Sequence, residues 1–209
     1  MKKIMAFLAL LTFLWSCAND KKETPVTEKT ETKIDSTLVT DSSWGPIKQA
    51  ADFAEIQAAF GASNVKDERI CGAECVDSVD VTIIYPGSTK EIIVYWEDSF
   101  YHKDIAFIQT GMPEAPYHTA AGLKTGSSLN DLLKINGQKI TFSGFGWDYG
   151  GSIQSYNNGS LEKSPIHFEL DLAEDTGTEL LGDIELNTDM PAVKKVLDKI
   201  KVYRVRLSW

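Results

Sequence analysis

Few residues in this chain stand at spacings that suggest chemistry. The stretch Phe142–Tyr156, FSGFGWDYGGSIQSY, sets aromatics among glycines around one carboxylate. Written with strand alternation, Phe145, Trp147 and Tyr149 share one face, and Gly144, Gly146 and Gly150 share the other with Asp148. Turned inward, the rings are core and the bare backbone lets another element approach. Burial of about 150–250 Å² per ring, at about 25 cal/mol per Å², outweighs a glycine cost of about 0.5–1 kcal/mol each. Turned outward, Trp147 and Tyr149 stack on sugars or on a protein partner, and Asp148 accepts hydroxyl hydrogen bonds. The inward reading is favoured because aromatic rings bury more often than they form exposed platforms. Trp147, Asp148 and Tyr149 are still the candidate ligand-binding residues.

Two further groups could do chemistry. Cys71 and Cys75, in ICGAEC, are a close pair with Gly72 between them. A structural disulfide is the expectation, because a redox pair usually has two intervening residues and a helix after it. Zinc would need two more ligands, and His102, His118 and His167 are scattered. The segment Glu169–Asp189 is dense in acids, and Asp171, Glu174, Asp175 and Glu179 could gather calcium. Their spacing misses the standard calcium loop, so a solvated acidic loop is expected. No nucleophile elbow, P-loop, H-E-x-x-H or dinucleotide fingerprint occurs. No catalytic residue, metal or cofactor is therefore assigned.

The chain opens MKKIMAFLALLTFLWSC. Two lysines precede an apolar run over Ile4–Leu14, too short to cross a bilayer as a stable helix. Its end, Leu14-Trp15-Ser16-Cys17, resembles the lipobox of bacterial lipoproteins. The resemblance implies cleavage after a signal peptide at 1–16, thioether lipidation of Cys17 and further acylation, palmitate included. Several acyl chains give lasting anchorage. Ala18 is not the acidic residue that signals inner-membrane retention, so the resemblance points to the outer membrane. Residues 17–43, rich in Thr, Lys, Glu, Asp and Ser, read as a lipidated cysteine and flexible polar tether.

Residues 44–209 suit one domain with a real core. The chain carries 21 basic and 30 acidic residues, a net charge of −9; loss of Lys2 and Lys3 takes the mature form to near −11. Such a surface repels phosphate backbones, which argues against nucleic acid.

The elements that position these groups are legible from periodicity. DFAEIQAAFG reads as a helix with a capping box, Asp52 to Glu55, and a Gly61 stop. SSLNDLLKING reads as a second, capped by Ser127 or Ser128 and ended by Gly137. VDVTIIYPGSTKEIIVYWED reads as a hairpin, apolar on both faces and thus central. DIAFIQT, QKITFSGFGW, GSIQSYN, PIHFELDLA and KVYRVRLSW are further strands, with a tight turn at Asn158-Gly159 and a short helical turn near MPAVKKVLDK. The last strand shows one partly charged face.

The fold class is α+β, with two helix-plus-antiparallel-meander units in one compact domain. That layout resembles small periplasmic inhibitor and assembly-factor domains, and GLKTGSSLNDLLKING with GFGWDYGG is similar to secreted or lipoprotein-like bacterial domains of no known activity. The functional expectation is a membrane-anchored, non-catalytic binding or assembly module that engages an envelope protein or glycan. The alternatives are a glycan- or cell-wall-directed hydrolase using Asp148 or Glu169 as a carboxylate, and a purely structural lipoprotein.

Overall fold

A computed structural model describes residues 35–71, 78–173 and 178–209. The signal segment, Cys17, Cys75, Glu174 and Asp175 lie outside the described residues. The folded unit is mixed α/β and rich in sheet. It begins with three short strands, β1 (Leu38–Thr40), β2 (Ser43–Trp44) and β3 (Ile47–Lys48), before helix α1 (Phe53–Phe60). Strands β4 (Val65–Cys71), β5 (Ser78–Ile84), β6 (Ile92–Asp98) and β7 (Lys103–Thr110) then form an antiparallel meander. A short strand β8 (His118–Thr119), helix α2 (Leu129–Asn136), β9 (Thr141–Ser143), β10 (Ile153–Ser155) and β11 (Ile166–Leu172) follow. The chain closes with β12 (Glu185–Asn187), the single turn α3 (Pro191–Lys194) and the long strand β13 (Ile200–Ser208).

Three sheets result. The largest has the order β11-β13-β7-β6-β5-β4 and is antiparallel throughout. A four-stranded sheet runs β3-β2-β1-β8, with β1 parallel to β8, and a three-stranded sheet runs β10-β9-β12. The doubled helix–meander layout is thus corrected. The first unit exists as α1 followed by β4–β7. The second does not, because β11 leaves its neighbours to pair with β13, and β9 recruits β12 instead.

The expected tether boundary is corrected too. Val39 and Trp44 are buried at 1% and 0% exposure, and β1 pairs with both β2 and β8. The fold therefore starts before Leu38, inside the segment expected to be tether. Two apolar residues, Leu38 and Val39, amid Asp, Ser and Thr are too weak a pattern for periodicity to register.

Both long helices keep their sequence caps. Glu55 N donates to Asp52 Oδ1 at 2.8 Å and Asp52 N to Glu55 Oε2 at 3.1 Å. Ser128, not Ser127, caps α2, with Asp131 completing the reciprocal bonds. Gly137 ends α2 in the left-handed region (φ 70°, ψ 0°), whereas Gly61 ends α1 at φ 84°, ψ 129°, outside it. The tight turn after β10 sits one residue early: Asn157 and Asn158 carry the positive φ values, 52° and 60°. It makes no hairpin, since β10 pairs with β9 and β11 with β13.

The core lies between the helices, the small sheets and one face of the large sheet. That face presents Ile200, Val202, Val205 and Leu207 from β13 and Ile166, Phe168 and Leu170 from β11, all buried. On β5 both faces are covered, as the hairpin's apolar faces lead one to expect: Ile84 belongs to the main core, while Val81 and Ile83 are buried apart from it.

Two outcomes test this layout. Val39→Asp places a charge where almost no solvent reaches and costs several kcal/mol of unfolding free energy, on the order of 3 or more; a tether residue would tolerate it in a denaturant titration. The Ser128 hydrogen bonds hold the Asp131 carboxyl below its usual range. Its contribution is therefore full above about pH 3.9, the unfolded value. The contribution fades as pH falls through the lower, folded value. Asp131→Asn should be less stable than wild type at neutral pH and indistinguishable from it in strong acid.

Candidate functional site

Between β9 and β10, the glycine-rich middle of the aromatic–glycine stretch is a loop and not a strand. Gly144 and Phe145 clamp onto the segment before β12: Gly144 N donates to Ile184 O (2.7 Å), Phe145 N to Leu180 O (2.8 Å) and Gly182 N to Phe145 O (2.8 Å). A Cβ on Gly144 would stand 2.5 Å from Gly182 O. A turn follows, closed by Gly150 N on Trp147 O (2.9 Å), and Gly151 at φ 74° brings the chain back against β11. There Leu170 N donates to Gly151 O (3.0 Å), and a Cβ on Gly151 would collide with the Leu170 carbonyl. The glycines do permit close approach, as the inward reading required.

Strand alternation of the rings fails, because positive φ at Gly146 and Gly151 reverses the chain. Phe145 is core, tilted against Phe142 at 5.9 Å. Trp147 is half-buried, its indole N–H donating to Gly144 O at 2.8 Å. Tyr149 is 67% exposed and meets Trp147 edge-on at 5.6 Å, and Asp148 faces solvent. The candidate trio is therefore a small aromatic ledge on a loop hydrogen-bonded at both ends.

Glu169 sits elsewhere, on the face of the large sheet opposite the core. Its carboxylate receives Tyr203 Oη at 2.6 Å, Arg204 Nη1 at 2.7 Å and Arg206 Nη2 at 3.2 Å. Arg206 also donates to Gln109 Oε1 at 3.1 Å and lies 4.6 Å over the Phe107 ring, which stacks on Tyr95 at 4.1 Å. Partial burial and the bond to Glu169 push the Tyr203 phenol up to about 12, so it stays protonated and donates. Desolvation, then the Arg206 charge, hold the neighbouring His167 imidazole below its ordinary value. Bridging β11, β13, β7 and β6, this network works as a strap. The arginines were not legible as partners of Glu169, because they lie about 35 residues along the chain.

The acid-dense segment gives no ion cage among the described residues, where no group of three or more metal-ligating side chains occurs. Asp171 and Glu179 are exposed. Cys71 is disulfide-bonded; Cys75, its expected partner, lies outside the described residues.

Sequence reading missed the β6–β7 turn. Asp98 Oδ1 accepts from both Phe100 N and Tyr101 N at 3.1 Å, which fixes the tip. Phe100 and Tyr101 are 81% and 72% exposed, their rings edge-to-face at 4.7 Å. Below them His102 (φ 48°) stacks on Phe53 at 4.8 Å and meets Asp67 Oδ2 at 3.0 Å through Nε2. Asp67 Oδ1 takes Thr82 Oγ1 at 2.7 Å, and Thr82 in turn takes the Trp96 indole at 3.0 Å. A recess of about 270 Å³ opens beside Phe100 and His102. The adjacent aromatics in EDSFYHKD were the available signal.

A separate cleft of about 590 Å³ has an apolar floor that includes Val39, Leu123 and Phe168. Its rim is polar, with Ser164 on Asp41 at 3.3 Å.

Comparison with known proteins adds little. No family model matches the chain, and no curated protein matches it. A solved structure, of the uncharacterized protein yfeY from Escherichia coli, is similar over 83% of this chain and 100% of that one, at 12% identity and a TM-score of 0.48. A likeness at that level carries no functional argument.

Paired substitutions separate strap from surface. Glu169→Gln should cost about 1–2 kcal/mol, after allowance for solvent screening of half-buried pairs. Tyr149→Ala should stay within about 0.5 kcal/mol of wild type. Chemical denaturation measures both.

Proposed function

We propose that this chain is a lipid-anchored envelope protein of the outer membrane whose folded body is a non-catalytic binding or assembly module. The anchor rests on the lipobox-type end of the leader, Leu14 to Cys17. Among the described residues no helix is long and apolar enough to cross a membrane, so any membrane attachment of this body by helix would have to come from elsewhere in the chain.

The observation that carries the binding role is the display of aromatic rings on hydrogen-bonded turns. Leaving a ring such as Phe100 in water forgoes about 1.5–3 kcal/mol of burial. The turn hydrogen bonds nonetheless hold Phe100 and Tyr101 outward, and the glycine loop holds Tyr149 outward. Rings that are pre-positioned in solvent suit recognition of an envelope protein or a glycan, since little ordering entropy is lost when they dock. The three donors around Glu169 favour a structural role for that carboxylate over the hydrolytic alternative.

Metabolic labelling with an alkyne palmitate analogue tests the anchor. Wild type should take the label and fractionate with the outer membrane. Cys17→Ser should take none and appear in the soluble envelope fraction. Equal labelling of both, or residence of the wild type in the cytosol, overturns the reading.

A further inference from the structure

We propose that the tip of the β6–β7 hairpin is the docking point of the module, and that its partner presents a lysine- or arginine-rich segment of another envelope protein. This rests on the binding-module reading above and deepens it.

Three observations converge on the tip. It is pre-organised, because Asp98 ties both aromatic amides and His102 is wedged between Phe53 and Asp67. A docking partner therefore meets a backbone already held in place and loses little entropy in ordering it.

It is also acidic. Lys66 and Arg69 are already engaged by Glu68 (3.1 Å) and Asp80 (2.6 Å). Asp67 is bonded to His102 and Thr82, which leaves Glu97, Asp98 and Asp104 against Lys103 among the described residues of the tip. Exposed aromatic faces beside uncompensated carboxylates suit a cationic side chain, which sits over a ring while its charge meets the acids. The same charge disfavours two other occupants. An anionic lipid surface is repelled. A second copy of this chain, with a net charge of −9, is repelled as well.

The third observation is position. Ser36 and Thr37, where the described chain starts, line a hollow with Tyr85 and Lys90 at the β5–β6 turn. The hollow is pinned by Tyr117 Oη donating to Lys90 O at 2.7 Å. From that turn β6 runs seven residues to Asp98, roughly 23 Å at the usual rise per residue. The chain thus joins the fold at the opposite end of β6 from Phe100 and Tyr101.

Site-specific photocross-linking in intact cells tests the proposal on the full chain. A benzophenone amino acid is placed at Tyr101, at Tyr149 and, as a control on the near end, at Lys90. The proposal expects a protein adduct from position 101 whose cross-linked peptide is rich in Lys and Arg. Its yield should fall about tenfold or more with Phe100→Ala or Glu97→Lys, as for a hot-spot contact. Thermal unfolding of both variants should match wild type, which separates lost docking from lost folding. Adducts to lipid, to a second copy of this chain or to an acidic segment overturn it, and so does the absence of any adduct at 101. An adduct from 149 alone would sink the tip while leaving the binding module standing. Loss of palmitate labelling would sink the anchor independently of either.

Discussion

The fold depends on one pairing: the C-terminal strand β13 inserted between β7 and β11. On one side it joins Val205–Ser208 to Phe107–Thr110, and on the other Ile200–Leu207 to Ile166–Leu172. Its buried residues, Ile200, Val202, Val205 and Leu207, are at or below 1% exposure and close the core from the sheet side. Its first residues also stitch α2 into place: Val202 N donates to Ser127 O and Gly126 N to Val202 O, at 2.8 and 2.7 Å. Take β13 away, and the backbone pairing of β11 with described neighbours reduces to the Ser152–Glu169 bridge and the Gly151–Leu170 hydrogen bond next to β10. The meander β4–β7 can form locally, and β9, β10 and β12 pair among themselves, but β11 has no place in the large sheet until the last residues arrive. Such a non-local closure is costly in loop entropy and should come late in folding.

The outer face of the same strand explains the charged strap. Where β13 turns its apolar side chains inward, Tyr203, Arg204 and Arg206 face outward, and a register shift near Glu169 brings that carboxylate within reach of all three. The strap and the core are two consequences of one alternation. The surfaces left for recognition are turns at the periphery: the β6–β7 tip and the loop that Gly144 and Gly151 fold back against its neighbours.

Elements with strong periodicity or explicit caps were legible in the sequence. The Asp52–Glu55 cap, a serine cap on α2 at Ser127 or Ser128, the β5–β6 hairpin and the alternation of β13 all announce themselves through residue type at fixed spacing. Strand β4 did not, because VKDERIC is a charged edge with only Val65 fully buried. Charge on an edge strand guards against unwanted pairing, and it hides the strand from a hydrophobic pattern. The first strands were missed for a related reason: β1 to β3 are two or three residues long, below the reach of any period. The aromatic–glycine stretch misled in the opposite direction. Its alternation is perfect on paper, but glycine supplies positive φ as readily as extended backbone, and the loop takes the first option. Of the candidate site, Tyr149 and Trp147 could be named from sequence. The tip could not be ranked above them, because the tie from Asp98 and the wedge under His102 join residues whose meeting only the fold reveals.

Native-state hydrogen exchange tests the role of β13 most directly. If its insertion holds the sheet together, amides of Val205–Leu207 and their partners Ile108–Thr110 should exchange only through global unfolding, while those of the edge strand β4 exchange through local fraying with far smaller opening free energy. Exchange of the β13 amides ahead of those in β4 or β5 would contradict the account, because the meander would then be stable without its closing strand.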